Sequence, residues 1–112
     1  MTHQMNLNQT PFELISSGKK VVEMRLKTPK RDQIKVDDTI VFTSEGTDKK
    51  LEVLVLNIES FPSFKELYES VGNHLLGYPS GQGNYEDMYE YYTKEDIDKY
   101  GVLAIYIKVI SF

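Results

Sequence analysis

The chain has 112 residues, of which 40% are hydrophobic and 27% charged, a composition typical of one globular domain with its own core. It contains no cysteine, which excludes a disulfide framework, a thiol nucleophile and any cysteine-based zinc site. Its net charge of −4 argues against a protein whose whole surface coats nucleic acid. We expect a single domain over residues 1–112.

A short strand and a short helix open the chain. Residues 3–7 are predicted to form the strand. Thr10-Pro-Phe-Glu13 is typical of a helix start, with Thr10 as the N-cap and Glu13 closing a capping box. Gly18 is predicted to end this helix, because glycine adopts the left-handed conformation of a helix C-terminus without strain.

Three strands are predicted to follow. Polarity alternates between residues 20 and 26, which predicts a strand whose apolar side chains at positions 22, 24 and 26 face the core. Thr39–Thr43 and Leu51–Ile58 are rich in β-branched residues and are predicted to be strands joined by a polar turn.

A second helix and a long loop come next. Ser63-Phe-Lys-Glu66 is a capping box, and the apolar residues after it have helical spacing. Residues 72–84 contain four of the seven glycines, together with Pro79, so they are predicted to form a loop without regular structure.

The last quarter of the chain is predicted to be helical and then extended. A helix after the loop would carry four core-facing residues, namely Tyr85, Met88, Tyr89 and Tyr92. Thr93–Asp96 starts a further helical segment that ends near Gly101. Val102–Ile110 is almost wholly apolar, which predicts a strand buried on both faces.

The predicted order is therefore β-α-β-β-β-α-loop-α-β. Too few helices lie between the strands for a doubly wound sheet. We predict an α+β fold, in which a small, mostly antiparallel β-barrel has helices packed outside.

Charge is unevenly distributed along the sequence. Residues 18–36 contain seven Lys or Arg and two acidic residues, a net +5, whereas residues 84–100 carry −4. A basic segment on an acidic protein suits one anionic ligand better than a long duplex. The alternative is that these lysines only form a solvated face.

Several features bear on location and cofactors. Residues 1–5 lack the charged-then-apolar pattern of a signal peptide, and no apolar run approaches the roughly 20 residues of a membrane span. His3 and His74 lie far apart in the sequence. We expect a cytoplasmic protein without a metal, a cofactor or a membrane partner.

The segment with the densest chemistry is Gly18-Lys-Lys20-Val-Val-Glu23-Met-Arg25. A glycine turn leaves backbone amides free to meet an anion. Lys20 would act as a point charge, a nucleophile or a base, and Glu23 and Arg25 would pair or bracket a polar ligand. In the alternative interpretation, Glu23 and Arg25 lie on the solvent face of an amphipathic strand. Regular alternation puts Lys20 on the opposite face, so it joins them only if the strand is irregular after Gly18.

Tyrosines are concentrated in the last quarter of the chain, and aromatic rings can stack on unpaired bases. Those at helical spacing are interpreted as core residues. Tyr78 differs, because it lies on the glycine-rich loop, and it is the preferred aromatic candidate for ligand contact. His74 is equally well explained as a loop residue without a role.

The motif Gly18-x-Lys20-x-x-Glu23-x-Arg25 resembles the G-x-K-x-x-E-x-R signature of ASCH domains, which are relatives of the PUA domain. The resemblance runs from about residue 5 to the C-terminus. Other matching segments are the helix Pro11–Gly18, Val36-Asp-Asp38 at the family's V-G-D turn, Ser63-Phe-x-Glu-Leu67 and the strand Tyr100–Ile105.

The resemblance implies a PUA-like β-barrel and a cleft lined by Lys20, Glu23 and Arg25. It also implies binding of RNA or of a modified nucleoside. One bacterial branch of the family consists of small amidohydrolases that deacetylate N4-acetylcytidine, where the motif lysine acts with a threonine and a distant glutamate. Lys20 matches that lysine, and Glu23 stands at the threonine position.

Three functions follow as hypotheses. The first is a binding module for RNA or a nucleoside that uses Gly18, Lys20, Glu23, Arg25 and Tyr78. The second is a hydrolase, either a nucleoside amidohydrolase or a ribonuclease, with Lys20 and Glu23 as catalytic candidates. The third is an interaction domain whose acidic segment 84–100 binds a basic partner.

Overall fold

The computed structural model describes residues 1–78 and 83–112. The predicted order of elements is confirmed with two differences: one 3₁₀ helix is additional, and a second 3₁₀ helix stands in place of the α-helix predicted from residue 85. The elements are β1 (Thr2–Leu7), α1 (Gln9–Ser16), β2 (Val22–Leu26), a first 3₁₀ helix (Arg31–Gln33), β3 (Thr39–Ser44), β4 (Lys50–Phe61), α2 (Phe64–Val71), a second 3₁₀ helix (Tyr85–Glu90), α3 (Lys94–Tyr100) and β5 (Val102–Ser111).

The five strands form one curled sheet in the order β1-β3-β4-β5-β2. β1 pairs with β3 in parallel, and the other three pairings are antiparallel. The predicted α+β fold, a small, mostly antiparallel, PUA-like barrel with helices packed outside, is confirmed, and its sheet curls into a half-barrel. β1 and β2 are the edge strands, and the Arg25 side chain joins them by donating from Nη2 to the Asn6 carbonyl oxygen at 3.0 Å.

Buried side chains form two clusters, and β5 contributes to both. Leu103, Ile105 and Ile107 join the cluster that also contains α1 and residues of β1, β3 and β4. Val102 and Ala104 join the other cluster, against α2 and α3. This confirms the prediction of a closing strand buried on both faces.

The same division fixes the orientation of β2. Its apolar residues at positions 22, 24 and 26 lie in the cluster beside α2 and α3. Glu23 is opposite Ile105 and Arg25 is opposite Leu103, and directly paired residues share a sheet face. Glu23 and Arg25 therefore lie on the face that lines the inside of the curled sheet.

The helix ends agree with most of the predicted caps. Ser63 and Thr93 accept hydrogen bonds from backbone N–H groups three residues later, at 3.4 and 3.1 Å. Gly18 and Gly101 end their helices with φ of +80° and +74°. The predicted N-cap of α1 is wrong, since the cap is Asn8 and not Thr10. Pro11 fits inside the first turn, where backbone N–H groups have no partner within the helix.

The second 3₁₀ helix replaces the α-helix predicted from residue 85. Three residues per turn align Tyr85 with Met88 and turn Tyr89 away from the core. Met88 is buried, whereas Tyr89 is 40% exposed, so its predicted core position is wrong. Residues 72–78 and 83–84 contain no helix or strand, as predicted for the loop, while Pro79 and the rest of 79–82 lie outside the described residues. No helix in the described part of the chain is long and apolar enough to span a membrane.

Asp37 occupies a backbone position that favours glycine. Its φ is +74°, and its N–H donates to the Val55 carbonyl oxygen at 2.9 Å. Asp37→Gly should raise the free energy of unfolding by about 0.5 kcal/mol, because relief of left-handed strain exceeds the added entropy of the unfolded chain. Urea denaturation measures the change. Asp37→Ala keeps the strain and should destabilise the protein; stabilisation by both substitutions would contradict this account.

Asp38 is held by donors on neighbouring segments. Its Oδ2 lies 2.8 Å from His3 Nε2 and accepts the Lys35 N–H at 3.0 Å. The hydrogen bond from His3, followed by that from Lys35, lowers the pKa of Asp38 to about 2. The carboxylate therefore contributes stability above pH 4, where the unfolded residue is also ionised, and the contribution is lost as the pH falls toward 2. Thermal denaturation between pH 4 and pH 2 should show a shallower loss of stability in Asp38→Asn; an unchanged slope would contradict the assignment.

Candidate ligand-binding cleft

Lys20 lies in an irregular segment between α1 and β2. Its backbone N–H donates to the Leu14 carbonyl oxygen at 3.0 Å, and the N–H groups of Val21 and Val22 both donate to Leu75. Because β2 begins only at Val22, Lys20 escapes the alternation of the strand. Its Nζ lies 3.6 Å from Glu23 Oε1 and donates to the Leu76 carbonyl oxygen at 3.3 Å. The backbone between Gly18 and Val22 is therefore irregular, and this irregularity lets Lys20 lie on the same side as Glu23.

Glu23 is buried between two cations. Its Oε2 accepts from Nε and Nη2 of Arg25 at 3.2 and 3.0 Å, and its Oε1 accepts the Met24 N–H at 3.1 Å. The side chains of Lys20, Glu23 and Arg25 are 8%, 6% and 16% exposed. The alternative that Glu23 lies on a solvent face is therefore wrong.

This arrangement leaves hydrogen-bonding groups unused. Arg25 donates hydrogen bonds from Nε and Nη2 to Glu23 and Asn6. Both N–H groups of Nη1 have no partner among the described residues. The Lys20 ammonium also has N–H donors that are not used in its hydrogen bond to the Leu76 carbonyl oxygen. These unused donors favour an anionic or carbonyl-bearing ligand. The three side chains carry a net charge of +1, and the exposed Glu45, which lines the same cavity, brings the charge of the lining to zero.

A second guanidinium, that of Arg31, adds positive charge beside the cleft. Burial, and then repulsion by Arg25, lowers the pKa of Arg31 below its ordinary value, against the opposing effects of Tyr92 and Glu23. The Arg31 guanidinium has no hydrogen-bond or ion-pair partner among the described residues. Arg31 thus adds a third cation of the basic segment to Lys20 and Arg25 in this region.

The three ionic side chains open into a cavity of about 400 Å³ between the edge strands, α1 and the segment around residue 77. Such a volume lies in the roughly 300–1,000 Å³ range of small-molecule sites. Three tyrosines, Tyr78, Tyr91 and Tyr92, also line it. Burial raises the pKa of Tyr92 above its ordinary value. Gly18 does not line this cavity, and its contribution is the turn that precedes Lys20.

Tyr78 is held in place by a second tyrosine. Its hydroxyl lies 3.1 Å from that of Tyr68, and the pKa of Tyr68 is raised by burial and by this hydrogen bond. The preceding residue, Gly77, has a φ of +96°, and a β-carbon there would lie 3.0 Å from Cβ of Lys20. The backbone at Gly77 therefore packs directly on the Lys20 side chain. His74, by contrast, is exposed.

Sequence reasoning missed several residues of the cleft. Asn6 and Leu76 contribute backbone carbonyl oxygens, which no residue type signals. Tyr92 was assigned to the core, and it is half-buried with one side in the cavity. The acidic residues Glu86 and Glu90 lie exposed on the second 3₁₀ helix, outside the cleft.

A second cavity, of about 520 Å³, lies on the other side of α1. Its charged lining residues are exposed and of mixed sign, namely Glu13, Asp48, Lys49 and Lys50. It lacks buried ionic side chains, so its chemistry is less specific than that of the cleft. Within residues 1–78 and 83–112, no group of three His, Asp or Glu side chains is arranged to hold a metal ion.

Solved structures share this fold over nearly the whole chain. The crystal structure of hypothetical protein PH0355 has a TM-score of 0.85 and 38% identity, covering 98% of this chain and all of the other. The solution structure of protein PF0455 from Pyrococcus furiosus has a TM-score of 0.76 and 34% identity, covering both chains completely. A mutant of ZmASCH from Zymomonas mobilis has a TM-score of 0.70 at 14% identity, over 98% of this chain and 73% of the other, which shows the fold alone.

No functionally curated protein matches the sequence. A family model does match, and it covers residues 5–111. The match agrees with the curled sheet and its packed helices. The chain belongs to the ASCH domain family, whose PUA-like fold is of a general RNA-binding type.

Proposed function

We propose that the cleft binds one nucleotide of a single-stranded RNA, or a modified nucleoside, through Lys20 and Arg25. The observation that carries this proposal is the buried set of Lys20, Glu23 and Arg25 with donors left unused in a cavity of about 400 Å³. Buried ion pairs are weak evidence for stability alone, because desolvation offsets their attraction. Charged groups clustered in a cleft are, in contrast, a frequent feature of functional sites.

The donors and acceptors define what the ligand must offer. Nη1 of Arg25 and Nζ of Lys20 would donate to phosphate oxygens or to base carbonyl groups. Oε1 of Glu23 retains a lone pair that would accept from a base amino group or a ribose hydroxyl. Tyr78 lines the same cavity and would contact the ligand there.

The size and charge of the molecule favour a single-stranded ligand over a duplex. A duplex presents its phosphates along an extended surface, and recognition of it needs many dispersed Lys and Arg. Here the whole chain has a net charge of −4, and two largely buried cationic groups, Lys20 and Arg25, line one small cavity. Bases of single strands can be turned out and enclosed, which suits such a cavity.

A second candidate function is hydrolysis of an acylated nucleoside, favoured by the 3.6 Å separation of the Lys20 and Glu23 head groups in the same cavity. Glu23 would take a proton from the attacking water, and Lys20 would stabilise the oxyanion. The proton would then pass to the leaving amine as the acyl bond breaks. Lys20 has an acceptor and an ion-pair partner, which suits an ammonium donor better than a neutral nucleophile.

Thermal denaturation against a panel of ligands tests both functions. The panel contains nucleosides, N-acetylated nucleosides, nucleoside monophosphates and short single-stranded RNAs, at low salt where phosphate contacts are strongest. A ligand at about 100 times its Kd should add roughly 2.7 kcal/mol of stability and raise the melting temperature by several degrees. Absence of a shift with every member would contradict the binding proposal. Chromatography of the same mixtures shows whether a ligand is cleaved, and intact ligands would exclude the hydrolase.

A further inference from the structure

Tyr91 differs from every other tyrosine of the chain. It is 61% exposed and lies at the rim of the cleft, directly after the second 3₁₀ helix. Its hydroxyl makes no hydrogen bond and its ring no aromatic or lysine contact among the described residues, although Tyr91 interacts electrostatically with Tyr68. Each of the other seven tyrosines contacts another aromatic ring, a hydroxyl, a carboxylate or a lysine ammonium. The pairs are Tyr68 with Tyr78, Tyr85 with Tyr89, Tyr92 with Phe64, Tyr100 with Lys99 and Tyr106 with Glu59.

The position of Tyr91 suits a base that lies outside the cavity. An aromatic ring free on its faces, beside a positively charged groove, is the arrangement by which proteins stack successive bases of single strands. Tyr78 and Tyr92 line the interior and are half-buried, so they are available to a ligand inside the cavity. Tyr91 projects farther into solvent than either of them, so a base on it would extend beyond the enclosed volume.

The charges around the rim are compatible with a strand leaving the cleft at this point. Glu86, Asp87 and Glu90 are exposed on the second 3₁₀ helix and would repel phosphates. Arg25 and Arg31, by contrast, interact electrostatically with Tyr92 in the cleft and would attract phosphates. The phosphates of a bound strand would therefore follow the basic side, while its bases face the tyrosines.

We infer that Tyr91 is a stacking platform for a second base, adjacent to the nucleotide in the cleft. The ligand would then be a single-stranded RNA of at least two nucleotides rather than a free nucleoside. This inference rests on the function proposed above, and it adds a residue outside the Gly-Lys-Glu-Arg motif to the binding surface.

The test compares two probes on four proteins. The probes are a mixed-sequence RNA hexanucleotide and the mixture of the four ribonucleoside 5′-monophosphates, and the proteins are wild type, Tyr91→Ala, Tyr91→Phe and Tyr89→Ala. Tyr91→Ala should lower the affinity for the hexanucleotide roughly 5- to 150-fold, the range expected for loss of one stacked base. It should leave mononucleotide binding within about twofold. Tyr91→Phe should bind as wild type, because stacking needs the ring and not the hydroxyl. Tyr89→Ala is the matched control outside the cleft and should also bind as wild type.

The outcomes separate this inference from the proposed function when Lys20→Ala is measured alongside. Hexanucleotide binding that falls in Lys20→Ala but not in Tyr91→Ala would support the cleft and overturn the platform. Binding that falls in Tyr91→Ala but not in Lys20→Ala would overturn the cleft and, with it, a second-base site beside a nucleotide in the cleft. Equal losses of mononucleotide and hexanucleotide in Tyr91→Ala would overturn the second-base site, because Tyr91 would then belong to the first. If wild type binds neither probe, both proposals are overturned.

Discussion

Glu23→Gln should lower the free energy of unfolding by about 3 kcal/mol, the lower end of the range for breaking a buried ion pair, because Arg25 is partly exposed. The substitution keeps the shape of the side chain and removes the negative charge that pairs with both Lys20 and Arg25. Two buried cations then face each other without compensation. Urea denaturation measures the change through the midpoint at constant slope.

The matched control for this prediction is Glu13→Gln on the exposed side of α1. We expect it to stay within about 0.5 kcal/mol of wild type, as is usual for surface substitutions. The double variant Lys20→Met, Glu23→Gln should recover part of the lost stability, because it removes one of the two uncompensated cations. Equal stability of Glu23→Gln and Glu13→Gln would contradict the buried arrangement.

Lys20→Ala should weaken binding of the responsive ligand about 10- to 150-fold, the equivalent of one charge-assisted hydrogen bond. Lys20 is buried in the cleft, and its ammonium has donors to spare. Isothermal titration measures the affinity. The ligand is whichever member of the panel raises the melting temperature most.

Lys19→Ala is the control for charge, because it removes the same charge from the adjacent, exposed residue that does not line the cleft. It should bind as wild type. Lys20→Met removes the charge but keeps an aliphatic side chain packed against Gly77. It provides the same test if Lys20→Ala does not fold. Equal weakening by Lys19→Ala and Lys20→Met would show that the general basic surface, and not the cleft, attracts the ligand.

Most of the fold could be predicted because short-range sequence patterns, such as alternating polarity and capping residues, determine most of its helices and strands. Alternation placed three side chains of β2 in the core, and the capping residues Ser63 and Thr93 marked true helix starts. The failures came where two local rules competed. Pro11 is acceptable anywhere in the first helical turn, so it did not distinguish Asn8 from Thr10 as the cap. The tyrosines near residue 88 fit a period of 3.6 as well as one of 3.0.

The candidate site could be predicted only in part. The motif pointed to Lys20, Glu23 and Arg25, but the burial of Glu23 depends on β2 being an edge strand whose inner face closes against β1. Such long-range closure leaves no trace in local periodicity. The Leu76 and Asn6 carbonyl oxygens are likewise invisible in a sequence, because every residue carries one.

The most direct test of the cleft is a titration of isotope-labelled protein with the RNA hexanucleotide, followed by backbone amide chemical shifts. Binding in the cleft predicts that the largest shifts occur between residues 20 and 25, at Leu76–Tyr78 and at Tyr91. The second cavity, at residues 47–50, should remain unperturbed. Shifts confined to residues 47–50 or to the acidic 3₁₀ helix, with the amides around Lys20 unmoved, would contradict the assignment of the ligand site.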